Sequence, residues 1–275
     1  MSLQSETQQL LAKYNISPNK ILGQNFLINQ GVVDLLLDSA EISNRDVVLE
    51  IGSGTGTITK QLARRAKGVI AVEKDTNLIP ILNQELKEFN NVQIIGNDIL
   101  KLKPKIYDLD SGTYKILGAP PYYLTNRLFR KFLQEEQKKP DTIAVIIPKQ
   151  IAQRVVAQSP HSNLLAVSVQ LYGKPKTIKN VPRSCFWPQP KIDSAILVIK
   201  NIKPPQINEE KFFAIIRTGF SSPRKKLITN LSKKLKQSRA QLENTFKKTN
   251  LDPSVRAESL TMEKWKELVF NITHY

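Results

Sequence analysis

Short apolar segments alternate with amphipathic stretches along the chain from residue 45 onward. The apolar segments read DVVLEIG, GVIAVE, VQIIGND, YKILGA and TIAVIIP. Most are followed by stretches with helical periodicity, which read TITKQLARRA, NLIPILNQELKEF, NRLFRKFLQEEQ and KQIAQRVVAQ. Strand–helix alternation of this kind predicts an α/β fold with a mainly parallel sheet covered on both faces. Two later segments, TIKNVP and AILVIK, predict a hairpin-like pair of strands at the sheet edge.

The character of the chain changes at the sequence KPP, residues 203–205. Asn208 is placed to cap a helix that reads EEKFFAIIRTGF. The helical pattern continues in LITNLSKKLKQS and EKWKELVFNI. We therefore predict two domains: residues 1–204 form the α/β domain with an N-terminal cap, and residues 205–275 form a small helical domain.

The charge of the chain indicates its kind of partner. The chain has 41 Lys and Arg against 24 Asp and Glu, a formal net charge of +17. An excess of this size favours a polyanionic partner, above all a nucleic acid, over a basic surface that only keeps the protein soluble. Cys185 is the single cysteine, and His161 and His274 are the only histidines, so we predict neither a disulfide framework nor a metal site. Without a secretory signal or a membrane-length apolar run, we expect a cytoplasmic protein with no membrane partner.

Three consecutive predicted strands end in residues suited to a nucleoside ligand. The first leads into Gly52, Gly54 and Gly56, and glycines there let the backbone turn tightly and approach a ligand. Glu73 ends the next strand, where a carboxylate accepts hydrogen bonds from ribose hydroxyls, and Asp98 ends the third, where it can accept from an adenine amino group. Because the carboxyl ends of parallel strands share one edge of a sheet, the sequence predicts a ligand site at that edge.

These motifs carry a family resemblance. The order EIGSGTG (residues 50–56), VEKD (72–75), GND (96–98) and APPY (119–122) resembles a class I S-adenosylmethionine-dependent methyltransferase. The chain is more narrowly similar to the ribosomal RNA adenine N6-dimethyltransferase family, of the bacterial small-subunit type. This likeness rests on LGQNFL (22–27), FWPQPKIDSA (186–195), FSSPRKKL (220–227) and RAESL (256–260).

The resemblance implies a fold, a reaction and a partner. It implies a Rossmann-like methyltransferase domain with a small C-terminal helical domain. The implied activity is S-adenosyl-L-methionine-dependent N6-(di)methylation of adenines in 16S ribosomal RNA during small-subunit assembly. The implied partner is 16S rRNA or a precursor of the small ribosomal subunit. We also expect a monomer, and no metal is required, because the sulfonium of the cofactor already supplies the leaving group and the electrophile.

The resemblance also assigns the cofactor site residue by residue. Glu73 would hold the ribose and Asp98 the adenine of S-adenosylmethionine, while Gly52 would lie under its amino-acid part. The other residues that would bind the cofactor are Gln24, Asn25, Leu27, Gly54, Gly56 and Ala119.

The corner Ala119-Pro120-Pro121-Tyr122 matches the family's catalytic motif [N/D/S]-x-P-[Y/F] with one departure. An enzyme that methylates the N6 atom of adenine flips the base out, stacks it on an aromatic ring and accepts hydrogen bonds from the amino group. The resemblance gives the stacking role to Tyr122 and an acceptor role to the Pro120 carbonyl. The methyl group of Ala119 accepts no hydrogen bond, so we predict a rate impaired on the order of 10²–10³ by analogy with oxyanion-hole deletions.

Basic clusters are the predicted contacts to RNA phosphates. The first cluster is Arg127, Arg130 and Lys131, and the second comprises Arg224, Lys225 and Lys226 with Lys233, Lys234 and Lys236 nearby. Solvated helix faces are the alternative for individual lysines. Two alternatives to the main function also stay open: a catalytically weak or inactive ribosome-assembly or RNA-binding factor of the same fold, and a large-subunit rRNA adenine methyltransferase.

Overall fold

The computed structural model describes residues 2–102, 113–235 and 237–273, so Lys236 and His274 lie outside the described residues. The chain divides into two compact units. One contains Met1–Ala152 with Lys174–Lys203, and the other contains Gln153–Gly173 with Pro204–Tyr275. The division near residue 204 falls beside the predicted domain boundary. Residues 153–173 differ from the prediction, because they group with the helices of the second unit and not with the sheet.

The strands of the first unit form two sheets. Their bounds are β1 (Phe26–Leu27), β2 (Val47–Ile51), β3 (Gly68–Glu73), β4 (Val92–Gly96), β5 (Tyr114–Gly118), β6 (Thr142–Pro148), β7 (Lys174–Val181), β8 (Phe186–Trp187) and β9 (Ser194–Lys200). Strands β1 and β8 form a small antiparallel pair. The other strands form one seven-stranded sheet in the order β4-β3-β2-β5-β6-β9-β7.

The large sheet confirms the predicted α/β class. Strands β4, β3, β2, β5 and β6 are mutually parallel. Every residue of β6 is buried, as expected for a parallel strand covered on both faces. The predicted hairpin-like pair at the sheet edge is confirmed, because β7 and β9 pair antiparallel there, and β9 also pairs antiparallel with β6. Of these two strands only β7 lies at an edge, since β9 is flanked by β6 and its residues from Ser194 to Ile199 are all buried.

The first unit also contains helices. Their bounds are α1 (Leu3–Lys13), α2 (Gln30–Ser39), α3 (Thr57–Arg65), α4 (Ile79–Glu85) and α5 (Thr125–Phe129), and α6 (Lys149–Val156) begins in this unit but crosses the boundary at Gln153. Buried residues of α2 and α3, including Leu36 and Leu62, share a core cluster with β2, β6 and β9. The helix predicted over NRLFRKFLQEEQ is not uniform, because α5 gives way to a π-helical segment at Arg130–Glu135.

The second unit is helical, as predicted for the C-terminal part of the chain. Its helices are α7 (Leu164–Gln170), α8 (Glu209–Gly219), α9 (Leu227–Ser232), α10 (Arg239–Lys248) and α11 (Met262–Thr273). Asn208 caps α8 as expected, since its side chain accepts a hydrogen bond from the Lys211 amide. The side chains of Trp265, Phe212 and Phe246 form part of the buried interior. Within residues 2–102, 113–235 and 237–273, no helix has the length and apolarity to cross a bilayer.

Candidate active site

A cleft opens at the carboxyl edge of β2, β3, β4 and β5. It encloses about 1020 Å³, part of which is open to solvent. The glycine-rich turn between β2 and α3 forms its floor, and Gly52 and Gly54 have φ angles of +75° and +58°. A side chain on Gly54 would lie 3.3 Å from the Phe26 ring, so only glycine fits this turn without displacing that ring. The turn therefore brings bare backbone to the ligand side of the cleft.

Glu73 closes the turn from the neighbouring strand. Its side chain is 7% exposed at the end of β3. Its Oε2 atom accepts a hydrogen bond of 2.8 Å from the Gly54 amide, and its Oε1 atom accepts one of 2.8 Å from the Asp75 amide. Burial raises the pKa of Glu73, against the effect of these backbone donors. Because a carboxylate has about four lone-pair sites, both oxygens keep acceptor capacity for a ligand.

Asp98 lies just past the end of β4. Its Oδ1 atom accepts from the Leu100 amide at 3.0 Å, and its Oδ2 atom lies 3.1 Å from the Lys74 ammonium. Burial alone would raise the pKa of Asp98, but the Leu100 amide and Lys74 outweigh it and lower that pKa. Asp98 is thus a carboxylate acceptor at the same edge as Glu73. Lys74, which the sequence reasoning did not single out, fixes its orientation.

The N-terminal segment forms another wall through Gln24. The side-chain NH2 group of Gln24 donates to Asp75 Oδ2 at 2.7 Å. Its side-chain carbonyl oxygen accepts a hydrogen bond from the backbone N–H of Asn19 at 2.7 Å. Both groups of this side chain are therefore engaged in holding the segment against the loop after β3. Asn25 and Leu27 line the cleft beside Gln24.

The proline corner packs against the glycine turn. A side chain on Gly52 would lie 3.5 Å from the Ala119 carbonyl oxygen and 3.7 Å from the Pro120 Cα atom. Gly118, just before the corner, has a φ of +145°, and a side chain there would lie 2.3 Å from the Ile51 carbonyl oxygen. Only glycine allows β5 to approach β2 this closely, so Gly118 sets the position of the corner.

Tyr122 is anchored by a residue from a distant part of the sequence. Its hydroxyl lies 2.6 Å from the Ser194 Oγ atom, which is fully buried at the start of β9. Burial raises the pKa of the Tyr122 hydroxyl. The ring is half-buried and faces the cleft. Ser194 belongs to the segment FWPQPKIDSA, so this contact links two motifs that the sequence could not join.

Glu50 lies beneath the glycine turn and is completely buried. Its Oε2 atom accepts a 2.6 Å hydrogen bond from the Thr59 hydroxyl. Its Oε1 atom and the Ser53 hydroxyl have no hydrogen-bond partner among the described residues. Burial raises the pKa of Glu50 from 4.5 to about 7, and the Glu73 carboxylate adds to this shift. The carboxyl group therefore titrates close to neutral pH.

The structure brings most of the predicted site together. The predicted residues that line the cleft are Gln24, Asn25, Leu27, Gly52, Gly54, Glu73, Asp98, Ala119, Pro120 and Tyr122. Gly56 lies outside the lining of the cleft, and a side chain on it would point at Leu82 of α4, 3.3 Å away. Its φ of +85° serves the start of α3, and its part in binding the cofactor stays a prediction.

The predicted RNA contacts divide into exposed and buried residues. Arg127, on α5, is exposed, as is Arg130, whose Nε atom lies 2.8 Å from Glu135. Lys131 is a correction, because it is only 8% exposed. Its ammonium lies 2.5 Å from Glu136 and donates to the Leu102 carbonyl at 2.8 Å, so it supports the interior.

The basic loop between α8 and α9 belongs to the second unit. Arg224, Lys225 and Lys226 are all exposed there. The buried Asn230 side chain donates to the Gly219 carbonyl at 2.7 Å and to the Ser222 carbonyl at 3.0 Å. Asn230 thereby holds the start of the loop, a role that the sequence did not indicate.

No group of three metal-ligating side chains is found in the described part of the chain. The residues around the cleft are instead hydrogen-bond acceptors, bare backbone and an aromatic corner. A mostly parallel seven-stranded sheet with this cleft at its carboxyl edge defines a class I methyltransferase fold. Two solved structures share that fold. The chain is 22% identical to the 23S rRNA methyltransferase ErmE, covering 91% of this chain and 100% of that one with a TM-score of 0.74. It is 23% identical to a dimethyladenosine transferase from Plasmodium falciparum, covering 88% and 95% with a TM-score of 0.77.

Within that class, the chain belongs to the ribosomal RNA adenine dimethylase family, whose model matches residues 15–273. Three similar relatives are each named ribosomal RNA small subunit methyltransferase A. One from Bacillus pumilus is 38% identical over 95% of this chain and 94% of its own length. One from Dehalococcoides mccartyi is 36% identical over 97% and 92%, and one from Clostridium botulinum is 36% identical over 95% and 96%. The predicted family is thus confirmed over nearly the whole chain.

Proposed function

We propose that this chain transfers methyl groups from S-adenosyl-L-methionine to the N6 atoms of adenines in small-subunit (16S) ribosomal RNA and dimethylates them. The observation that carries this proposal is the packing of the Ala119–Tyr122 corner on Gly52. This packing supports a place for a flipped base beside the predicted cofactor turn, within one cleft. The names of the similar relatives support the small subunit as the substrate.

The residues of the cleft fit the proposed cofactor. Glu73 is buried with acceptor capacity on both oxygens, which suits the two hydroxyls of a ribose. Asp98 is an oriented carboxylate at the next strand end, which suits an adenine amino group. The bare backbone at Gly52 leaves room for an amino-acid group. When bound, S-adenosylmethionine would supply an electrophilic methyl group on a sulfonium centre.

The corner would act on the adenine. The Pro120 carbonyl accepts a hydrogen bond from the N6 amino group, because proline lacks only the backbone donor. Tyr122 stacks on the base, a contact worth about 1–3 kcal/mol in other base–aromatic pairs. The Ser194 hydroxyl fixes the ring before the base arrives, so less conformational freedom is lost on binding.

A second candidate function is favoured by Ala119, whose side chain cannot accept a hydrogen bond. A member of the family without the side-chain acceptor at this position retains the groups that hold RNA and loses one that acts on N6. Such a protein would bind precursors of the small subunit and methylate them slowly or not at all. In either case, we propose a cytoplasmic monomer that acts on the ribosome precursor.

Methyl transfer to isolated ribosomal particles tests both functions. The purified chain is incubated with cofactor labelled in its methyl group and with small subunits that lack adenine dimethylation. Digestion of the RNA and mass spectrometry identify the product. We expect N6,N6-dimethyladenosine in small-subunit RNA, with large subunits as the matched substrate control. Binding of small subunits without methyl transfer would support the second candidate, and preferential labelling of large-subunit RNA would contradict the proposed substrate.

A further inference from the structure

We propose that β7, an edge strand of the large sheet, is a further RNA-contact surface of the first unit, in addition to the predicted contacts at Arg127 and Arg130. Its exposed Lys174, Lys176 and Lys179, here called the β7 lysine strip, would bind the phosphate backbone of the RNA that flanks the target adenine. This inference rests on the proposed function, because it extends the RNA path away from the cleft.

The strand register puts the three lysines on one face of the sheet. Lys174 pairs with Lys200 of β9, Lys176 pairs with Val198, and Lys179 pairs with Ile196. Directly opposed residues of an antiparallel pair point to the same face, and so do residues two apart in one strand. An irregularity between Thr177 and Lys179 keeps Lys179 in phase with the other two. All three lysines are exposed.

Among the residues that the structure describes, the strip has no acidic partner on its own face. None of its lysines forms an ion pair with a residue in the described ranges. The neighbouring Lys200 is paired with Glu41 at 2.5 Å, so this carboxylate is already neutralised. On α2, Asp34 and Asp38 are both held by Arg65. The positive charge of the strip is therefore directed to solvent, where it suits a polyanion and not an acidic segment of this chain.

The strip leads toward the proposed target-base corner. Strand β7 runs in the same direction as β6, since both are antiparallel to β9. Its carboxyl end at Val181 pairs with Ser194, the residue that anchors Tyr122. Three strand spacings of about 4.8 Å separate β7 from β5, so the corner lies about 14 Å across the sheet. The five-residue step from Lys174 to Lys179 extends about 16 Å along the strand. A strand of RNA leaving the corner can reach this surface within a few nucleotides.

Lysines on an edge strand can also have a role that does not involve RNA, and the two roles predict different experimental results. Charged residues on an edge strand also block its pairing with another chain. That role would make a neutralised strip prone to self-association and would leave RNA binding unchanged. Phosphate contacts instead make RNA affinity depend on salt, with a slope of about −0.7 per contact for single strands.

The test is the salt dependence of RNA binding by a triple variant. Lys174→Gln, Lys176→Gln and Lys179→Gln are combined, and binding to unmethylated small subunits is measured from about 50 to 200 mM salt. Loss of three phosphate contacts should reduce the slope of log affinity against log salt by about 2 in magnitude. The fold-decrease in affinity between the two salt concentrations should therefore be about twentyfold smaller in the variant. The control combines Lys13→Gln, Lys67→Gln and Lys87→Gln, three other exposed lysines of the first unit.

The outcomes separate this inference from the proposed function. The inference about the β7 lysine strip would be overturned by an equal change of the salt slope in the control variant. It would also be overturned by an unchanged slope together with new self-association detected by light scattering. A selective slope change, together with a raised KM for small subunits and an unchanged kcat, would support it. The unmodified chain could transfer no methyl group while the salt slope changes only in the β7 variant. That result would support RNA binding by the β7 lysine strip and contradict the methylation proposal.

Discussion

The buried Glu50 beneath the glycine turn makes the stability of this protein depend on pH. In Glu50→Gln, the amide oxygen can still accept from the Thr59 hydroxyl, and the side chain keeps nearly the same shape. The substitution removes only the ability to titrate. Its effect on stability should therefore depend on pH in a way that reports the pKa of Glu50 in the native state.

The sign and size follow from the pKa in the two states. The pKa of Glu50 is raised from 4.5 to about 7 in the native state, chiefly by burial. Between these values the native state binds a proton that the unfolded state has released, so the contribution of Glu50 to stability falls as pH rises. It is fully present below pH 4.5 and lost above about pH 7. A difference of about 2.5 pH units corresponds to about 3 kcal/mol.

Urea unfolding of the two proteins at a series of pH values measures this contribution. We expect similar stability at pH 4.5 and a variant that is more stable by about 3 kcal/mol at pH 8. A second variant, Thr59→Val, lacks the hydroxyl that favours the ionised Glu50 carboxylate, so the pKa of Glu50 should rise further. The fall of stability with pH should then continue to a higher pH in this variant than in the unmodified protein. Parallel stability curves for Glu50→Gln and the unmodified protein would show that Glu50 has the same pKa in the native and unfolded states, which contradicts the raised native pKa.

Other substitutions test the supports of the two units. Gly118→Ala should lower stability by about 1–3 kcal/mol in thermal unfolding, because its new methyl group would overlap the Ile51 carbonyl. Tyr122→Phe leaves the buried Ser194 hydroxyl unpaired and should cost about 1–3 kcal/mol of stability but retain methyl transfer, whereas Tyr122→Ala should also weaken RNA binding. Asn230→Ala removes two hydrogen bonds that hold the basic loop and should cost about 2 kcal/mol of stability. It should also make RNA binding less dependent on salt, and an unchanged salt slope would limit Asn230 to a stabilising role.

The sequence allowed accurate prediction where the pattern itself sets the structure. Strands such as β6 are buried on both faces and appear as unbroken apolar runs. Glu73 and Asp98 could be predicted at one edge because parallel strands align their carboxyl ends. The contact of Tyr122 with Ser194 joins residues that are distant in sequence, and no local pattern encodes it.

The errors have equally specific causes. Spacing identified Gly56 as part of the glycine motif but could not show that a side chain there would point at α4 and not into the cleft. Lys131 looked like a surface cation, yet the π-helical segment turns it toward Glu136 and the Leu102 carbonyl. Residues 153–173 show no change of composition, so their grouping with the second unit depends on packing between distant segments.

Methylation of adenine in this cleft, at a rate limited by Ala119, can be measured directly. The most direct measurement is the rate of N6,N6-dimethyladenosine formation in small-subunit RNA by the unmodified chain and by Ala119→Asn, with Ala119→Leu as a control of similar size. We expect product from the unmodified chain, a rate increase on the order of 10²–10³ for Ala119→Asn, and no increase for Ala119→Leu. No product from any of the three proteins would contradict methylation by this cleft, and equal rates would contradict the role given to Ala119.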